Sequence, residues 1–138
     1  MGNSPLTMNM ENRREIIGFV RHTLGCKCPD EVFEQIEYQD GETLGNTSGR
    51  RITMGGRLLV YVWETNDPSL MRSHLPAVLS RGRRERDRRG LNRFRAVIAT
   101  DDVDSIEPVA QQLFHDLMDK DDRVYLHVIH ADDVPNLG

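Results

Sequence analysis

Leu58-Leu59-Val60-Tyr61-Val62-Trp63 is an almost unbroken apolar run between Arg57 and Glu64. A strand with one wet face alternates apolar and polar residues, so a continuous run of this length reads as a central strand covered on both faces. Just upstream, Arg50 to Met54 forms a second β run, joined to the first through Gly55-Gly56, a two-residue connection suited to a hairpin turn that needs positive φ. Downstream, Asp67-Pro68 opens a helix with Leu70, Met71, Leu75, Val78 and Leu79 turned inward. Pro76 falls inside that pattern and predicts a kink or a restart near Ser73. Phe94 to Ala99 reads as a strand and Val103 to Met118 as a helix, with Ile106, Val109, Ala110, Leu113, Phe114 and Leu117 on one stripe. Asp119 to Asp122 turns the chain into an alternating last strand, Val124 to His130. Strands that alternate with helices in this order imply a parallel three-strand centre, extended by the hairpin.

Ahead of this core, Ile16, Ile17, Phe19, Val20 and Leu24 recur at helical spacing and predict a helix over Asn12 to Leu24, stopped by Gly25. Cys28 then stands where an N-cap would, followed by Pro29, Asp30 and Glu31, which predicts a short helix from Pro29 to about Gln35 burying Val32, Phe33 and Ile36. Asp40 to Gly49 is rich in Gly, Thr and Asn and reads as an exposed loop. Residues 1–10 show no period and read as a disordered lead, with one α/β domain over 11–138. The expected fold is α/β, or α+β: an N-terminal helical pair, then a mixed sheet of four to five strands with a β-α-β-α-β core and helices packed on it.

At 138 residues and 38 % apolar content, one ordinary core is affordable. No apolar run approaches the roughly 20 residues of a membrane span, and the N-terminus lacks the basic-then-apolar layout of a secretion signal, so a soluble cytoplasmic setting is expected. The net charge of −4 argues against a general polyanion binder, but it hides an asymmetry. Arg81 to Arg95 holds eight arginines against Glu85 and Asp87, a local net of +6, whereas Ala96 to Gly138 carries a net of −8.

Chemistry points first to Gly25-Cys26-Lys27-Cys28-Pro29, which holds the only two cysteines. A bridge across one residue closes too small a ring to constrain the unfolded chain, so a structural disulfide is not expected. Two small apolar side chains filling a helix corner is one reading. A redox thiol is another, with Cys28 activated at the helix start and Cys26 resolving it. Cysteine beside proline at a helix start resembles thioredoxin-type sites, but the spacing of one rather than two, and the helical element before it, set this motif apart. A third reading is a soft metal, zinc or an iron–sulfur cluster, with His22 one helical turn before Cys26 as a further ligand.

The arginine run, Arg81, Arg83, Arg84, Arg86, Arg88, Arg89 and Arg93, is the second candidate, because guanidinium forks match phosphate and carboxylate in a bidentate way. Arg81 to Gly90 has no apolar residue and is expected to project into solvent. The acidic total and the lack of an interleaved aromatic platform speak against nucleic acid. No serine sits in a nucleophile elbow, no glycine cluster has phosphate-loop spacing, and Asp101-Asp102-Val103-Asp104 looks like a helix cap. The sequence assigns no reaction. Its leading expectation is a binding or regulatory module of homo-oligomeric type, docking an anionic ligand or a protein partner through the arginine segment without a resident cofactor. The alternative is a thiol redox or metal protein centred on Cys26 and Cys28.

Overall fold

The computed structural model describes residues 10–44, 47–117 and 121–135. The lead expected over 1–10 thus lies outside the described residues, save Met10, and so do Asp119 and Lys120 of the turn expected over Asp119 to Asp122. The described residues begin with α1 (Met10–Gly18), which passes into a π-helical turn (Phe19–Thr23), and then form a 3-10 turn (Asp30–Glu34). Five strands and two helices follow: β1 (Ile36–Leu44), β2 (Thr47–Met54), β3 (Leu58–Glu64), α2 (Pro68–Arg88), β4 (Arg93–Thr100), α3 (Val103–Asp116) and β5 (Val124–His130). They make one mixed α/β sheet in sequence order, with β1, β2 and β3 antiparallel and β3, β4 and β5 parallel. Among the described residues, no helix is long and apolar enough to cross a membrane.

The apolar run from Leu58 to Trp63 is β3 at the centre of the sheet, and its alternate side chains feed two cores. Leu58, Val60 and Val62 pack with Ile16, Phe19, Val20, Leu24, Val32 and Phe33 from the N-terminal helical segments. Leu59, Tyr61 and Trp63 pack with Met71, Leu75 and Leu79 of α2, Phe94 of β4, and Ile106 and Ala110 of α3. Each buried large apolar side chain is worth about 1.5–3 kcal/mol, which is why this strand carries no polar residue between Arg57 and Glu64. Both long helices start on an aspartate cap: Asp67 accepts from the Ser69 amide at 2.8 Å, and Asp102 accepts from the Ser105 amide at 3.4 Å.

Four expectations are corrected. The segment 40–49 is not an exposed loop: its described residues continue β1 and begin β2, with a bulge between Gln39 and Glu42 and with Leu44 fully buried. As an edge hairpin it needs few apolar residues, so periodicity did not reveal it. The helix expected from Pro29 is only the five-residue 3-10 turn, and Ile36 is the first residue of β1. Of the kink or restart expected near Ser73, the restart is absent: α2 runs from Pro68 to Arg88 as one helix, with Pro76 carried inside it. Finally, Arg81 to Gly90 does not simply project into solvent. It is the C-terminal half of α2 and its turn, and Gly82, Glu85 and Arg86 are buried.

Candidate functional site

The cysteine turn is built where the first helical segment ends. Gly25 takes a left-handed φ of 73°, and the Cys26 amide donates back to Val20 O at 3.0 Å. Two arginines hold the turn from opposite sides. Arg21 donates to Cys28 O at 3.0 Å and to Asp30 Oδ1 at 2.5 Å, with its guanidinium 4.8 Å from the centre of the Phe33 ring. Arg95 of β4, itself buried, donates to Leu24 O at 3.1 Å. The turn is therefore held before any sulfur chemistry is considered.

Cys26 and Cys28 are bonded to each other as a disulfide, with their α-carbons 5.3 Å apart, inside the ordinary range for such bonds. This corrects the expectation of two unbridged thiols. The two sulfurs are not equivalent: Cys26 is 5 % exposed and belongs to the core, whereas Cys28 is half-buried at its margin. Pro29, not Cys28, occupies the position before the 3-10 turn, and so short a turn supplies little of the helix-start field expected to activate a thiolate.

Charge around the pair comes from elsewhere. A cleft of about 70 Å³ is lined by Cys26, Lys27, Cys28 and Pro29 on one side and by Arg57, Asn92 and Arg93 on the other. Arg57 precedes β3 and Arg93 begins β4; the amides of Asn92 and Arg93 both donate to Arg57 O, at 2.7 and 3.0 Å, which fixes this rim. Among the described residues no carboxylate pairs with the side chain of Lys27, Arg57 or Arg93. The cleft beside the disulfide is thus lined by three basic residues without an ion-pair partner among the described residues.

The rest of the arginine run has other employment. Arg86 is 1 % exposed and forms a fork on Asp121 at 2.8 and 2.5 Å while also reaching Asp87. Its bond to Asp121 holds that carboxyl down at about 2. Arg89 donates to Glu85 at 2.7 Å and pairs with Glu37 at 3.5 Å, and Arg83 pairs with Asp87 at 3.7 Å. Glu85 is buried, which would raise its pKa, yet hydrogen bonds from Tyr61 and Arg89 and the charge of Arg51 hold it below the usual carboxylate value. Arg81 is half-buried, while Arg84 and Arg88 are exposed. Of the seven arginines singled out by sequence, the structure brings only Arg93 to the cysteines.

His22 is exposed on the π-helical turn, and among the described residues no three His, Cys, Asp or Glu side chains converge as a metal site. Sulfurs bonded to each other also lack the thiolates a soft metal takes. Sequence reasoning missed Arg57 and Asn92, whose approach to the cysteines depends on the parallel pairing of β3 with β4. Lys27 was visible inside the motif itself. Comparison with family models, with curated proteins and with solved structures finds no match for this chain.

Proposed function

We propose that this protein exchanges thiols and disulfides through Cys26 and Cys28. The observation that carries this reading is a disulfide that does little for the fold and sits at a cation-lined cleft. On the chain-entropy relation, a ring of three residues stabilises by about 1.6 kcal/mol, against about 3 for a loop of 15. A bond worth so little to stability, with one sulfur at the surface, suits a reversible electron carrier better than a permanent cross-link. Neighbouring cations favour the thiolate that such exchange requires. The half-buried Cys28 is the sulfur that meets the outside thiol, and the buried Cys26 is the one that leaves and later re-forms the bond.

Single-cysteine variants test the assignment. Cys26→Ser should leave a Cys28 thiol that forms a stable mixed disulfide with an oxidised small-molecule thiol, whereas Cys28→Ser should label slowly at the enclosed Cys26. In the parent protein both thiols should appear on mild reduction and disappear on reoxidation. A bond that resists dithiothreitol under native conditions, or equal slow labelling of the two variants, would remove the proposal.

A second reading has narrower support. Arg84 and Arg88 extend into solvent from the last turns of α2, without a carboxylate partner among the described residues. They suit docking of an acidic surface, and a second copy of this chain offers one in its acidic C-terminal third.

A further inference from the structure

We infer that the thiol exchanged at Cys28 is a small one carrying a carboxylate, bound through Lys27, Arg57 and Arg93. This rests on the exchange reading above and adds to it the identity of the substrate class. Three observations converge. The first is charge: these three side chains are the cations without carboxylate partners at the cleft, while Arg21, Arg51, Arg86 and Arg89 elsewhere are all paired. On a chain of net charge −4, a local excess of this sign is not a consequence of composition. The second is size: a cleft of about 70 Å³ has room on the order of two waters, enough for a carboxylate or the sulfur-bearing end of a small molecule but not for a folded loop. The third is placement: the backbone of the rim is fixed by the Arg57 carbonyl bonds, and that of the cysteine turn by Arg21 and Arg95, so the segments that carry the cations and the sulfurs are held beside one another.

The reaction balances without any further oxidant. The incoming thiolate attacks Cys28 Sγ, the bond from Cys28 Sγ to Cys26 Sγ breaks, and Cys26 leaves as the thiolate. A second small thiolate then attacks the sulfur of the bound one, releasing the small disulfide and Cys28 as a thiolate. Two electrons have passed from two small thiols to the protein, and both cysteine thiolates take protons from water. Run backwards, the same steps reduce the small disulfide.

The test compares 3-mercaptopropionate with 2-mercaptoethanol as reductants of the native disulfide, with rates expressed per thiolate to remove the difference in thiol pKa. Thiolate production is followed by rapid alkylation and mass measurement. The carboxylate-bearing thiol should be about tenfold faster at low salt, at the lower end of the 10–10³ range by which charge-lined clefts raise association rates. The ratio should fall to about one in about 0.5 M salt, where screening acts within a few ångström, and likewise in the Arg57→Ser/Arg93→Ser variant. Without a local site, a protein of net charge −4 disfavours the more anionic reductant. A ratio at or below one in the parent protein, or a ratio that the variant leaves at its parental value, would therefore overturn the inference while leaving exchange itself standing. Failure of both thiols to open the bond would overturn the exchange reading and this one together.

Discussion

His127 lies on β5 with its Nε2 2.9 Å from Arg95 Nη1, and Arg95 in turn lies over the Tyr125 ring at 4.5 Å. Burial, and then the charge of Arg95, push the imidazole pKa down to about 4. The ring is therefore neutral at ordinary pH and accepts from the guanidinium, which leaves Arg95 free to hold Leu24 O ahead of the cysteine turn. Unfolded, the same histidine titrates near 6.5, so between 6.5 and about 4 the unfolded chain binds more protons than the native one. Stability from this residue is complete above 6.5 and is lost as the pH falls toward 4, by on the order of 2–3 kcal/mol. His127→Gln keeps an acceptor for Arg95 and cannot titrate, so chemical denaturation across this window should give a flatter stability profile than the parent's. Parallel profiles would show that His127 is not the group responsible. None of this was legible in the sequence. The contact from Arg95 to Leu24 spans 71 residues, and a lone arginine in a strand pattern reads as an exposed edge position.

At the scale of elements, the sequence was informative wherever apolar residues had to be buried, and silent where polar ones were. β3, α3 and β5 lie where periodicity put them, because each must present one apolar face or two, and the hairpin turns at Gly55-Gly56 but over three residues, with Met54 paired to Leu58 where a two-residue connection was expected. The second half of α2 is the opposite case. It is seated on the sheet through Gly82, Glu85 and Arg86, whose partners Phe94, Tyr61 and Asp121 are remote in sequence, so the stretch looks like a solvated arm. Gly82 is the tightest point, since a β-carbon there would fall against three ring atoms of the fully buried Phe94. Gly82→Ala should therefore destabilise the protein by about 2 kcal/mol, overpacking outweighing a gain of about 1 in helix propensity. Adding Phe94→Leu should recover more than about 0.5 kcal/mol relative to the sum of the two single changes, measured by urea denaturation. Additive effects would mean that α2 shifts on the sheet and does not depend on this contact.

For the molecule as a whole, the strong charge asymmetry of the sequence divides into two parts with different work. Part of the positive segment closes the fold internally, through Arg86 on Asp121 and Arg89 on Glu85 and Glu37, and part of it faces outward. Each of these pairs has one member about a third exposed or more, which keeps its cost on disruption below the roughly 3–5 kcal/mol of a fully buried pair, while exposed charges usually change stability by within about ±0.5 kcal/mol. Arg86 is buried but its partners Asp121 and Asp87 are exposed, so Arg86→Ser should cost about 1.5–3 kcal/mol through its lost charged hydrogen bonds, and replacing the arginine run as a block would confuse folding with docking. The informative change is Arg84→Ser with Arg88→Ser. It should leave the melting temperature within a few degrees of the parent's while removing any association that weakens with salt, because both guanidinium groups are exposed and screening acts on exposed charges beyond about 8–10 Å. Sedimentation of parent and variant at low and high ionic strength decides the matter. If the parent associates at low salt and the variant does not, the outer arginines dock an acidic surface of a second copy; indistinguishable profiles would leave them as solvated ends of α2 and the cysteine cleft as the one site of interaction.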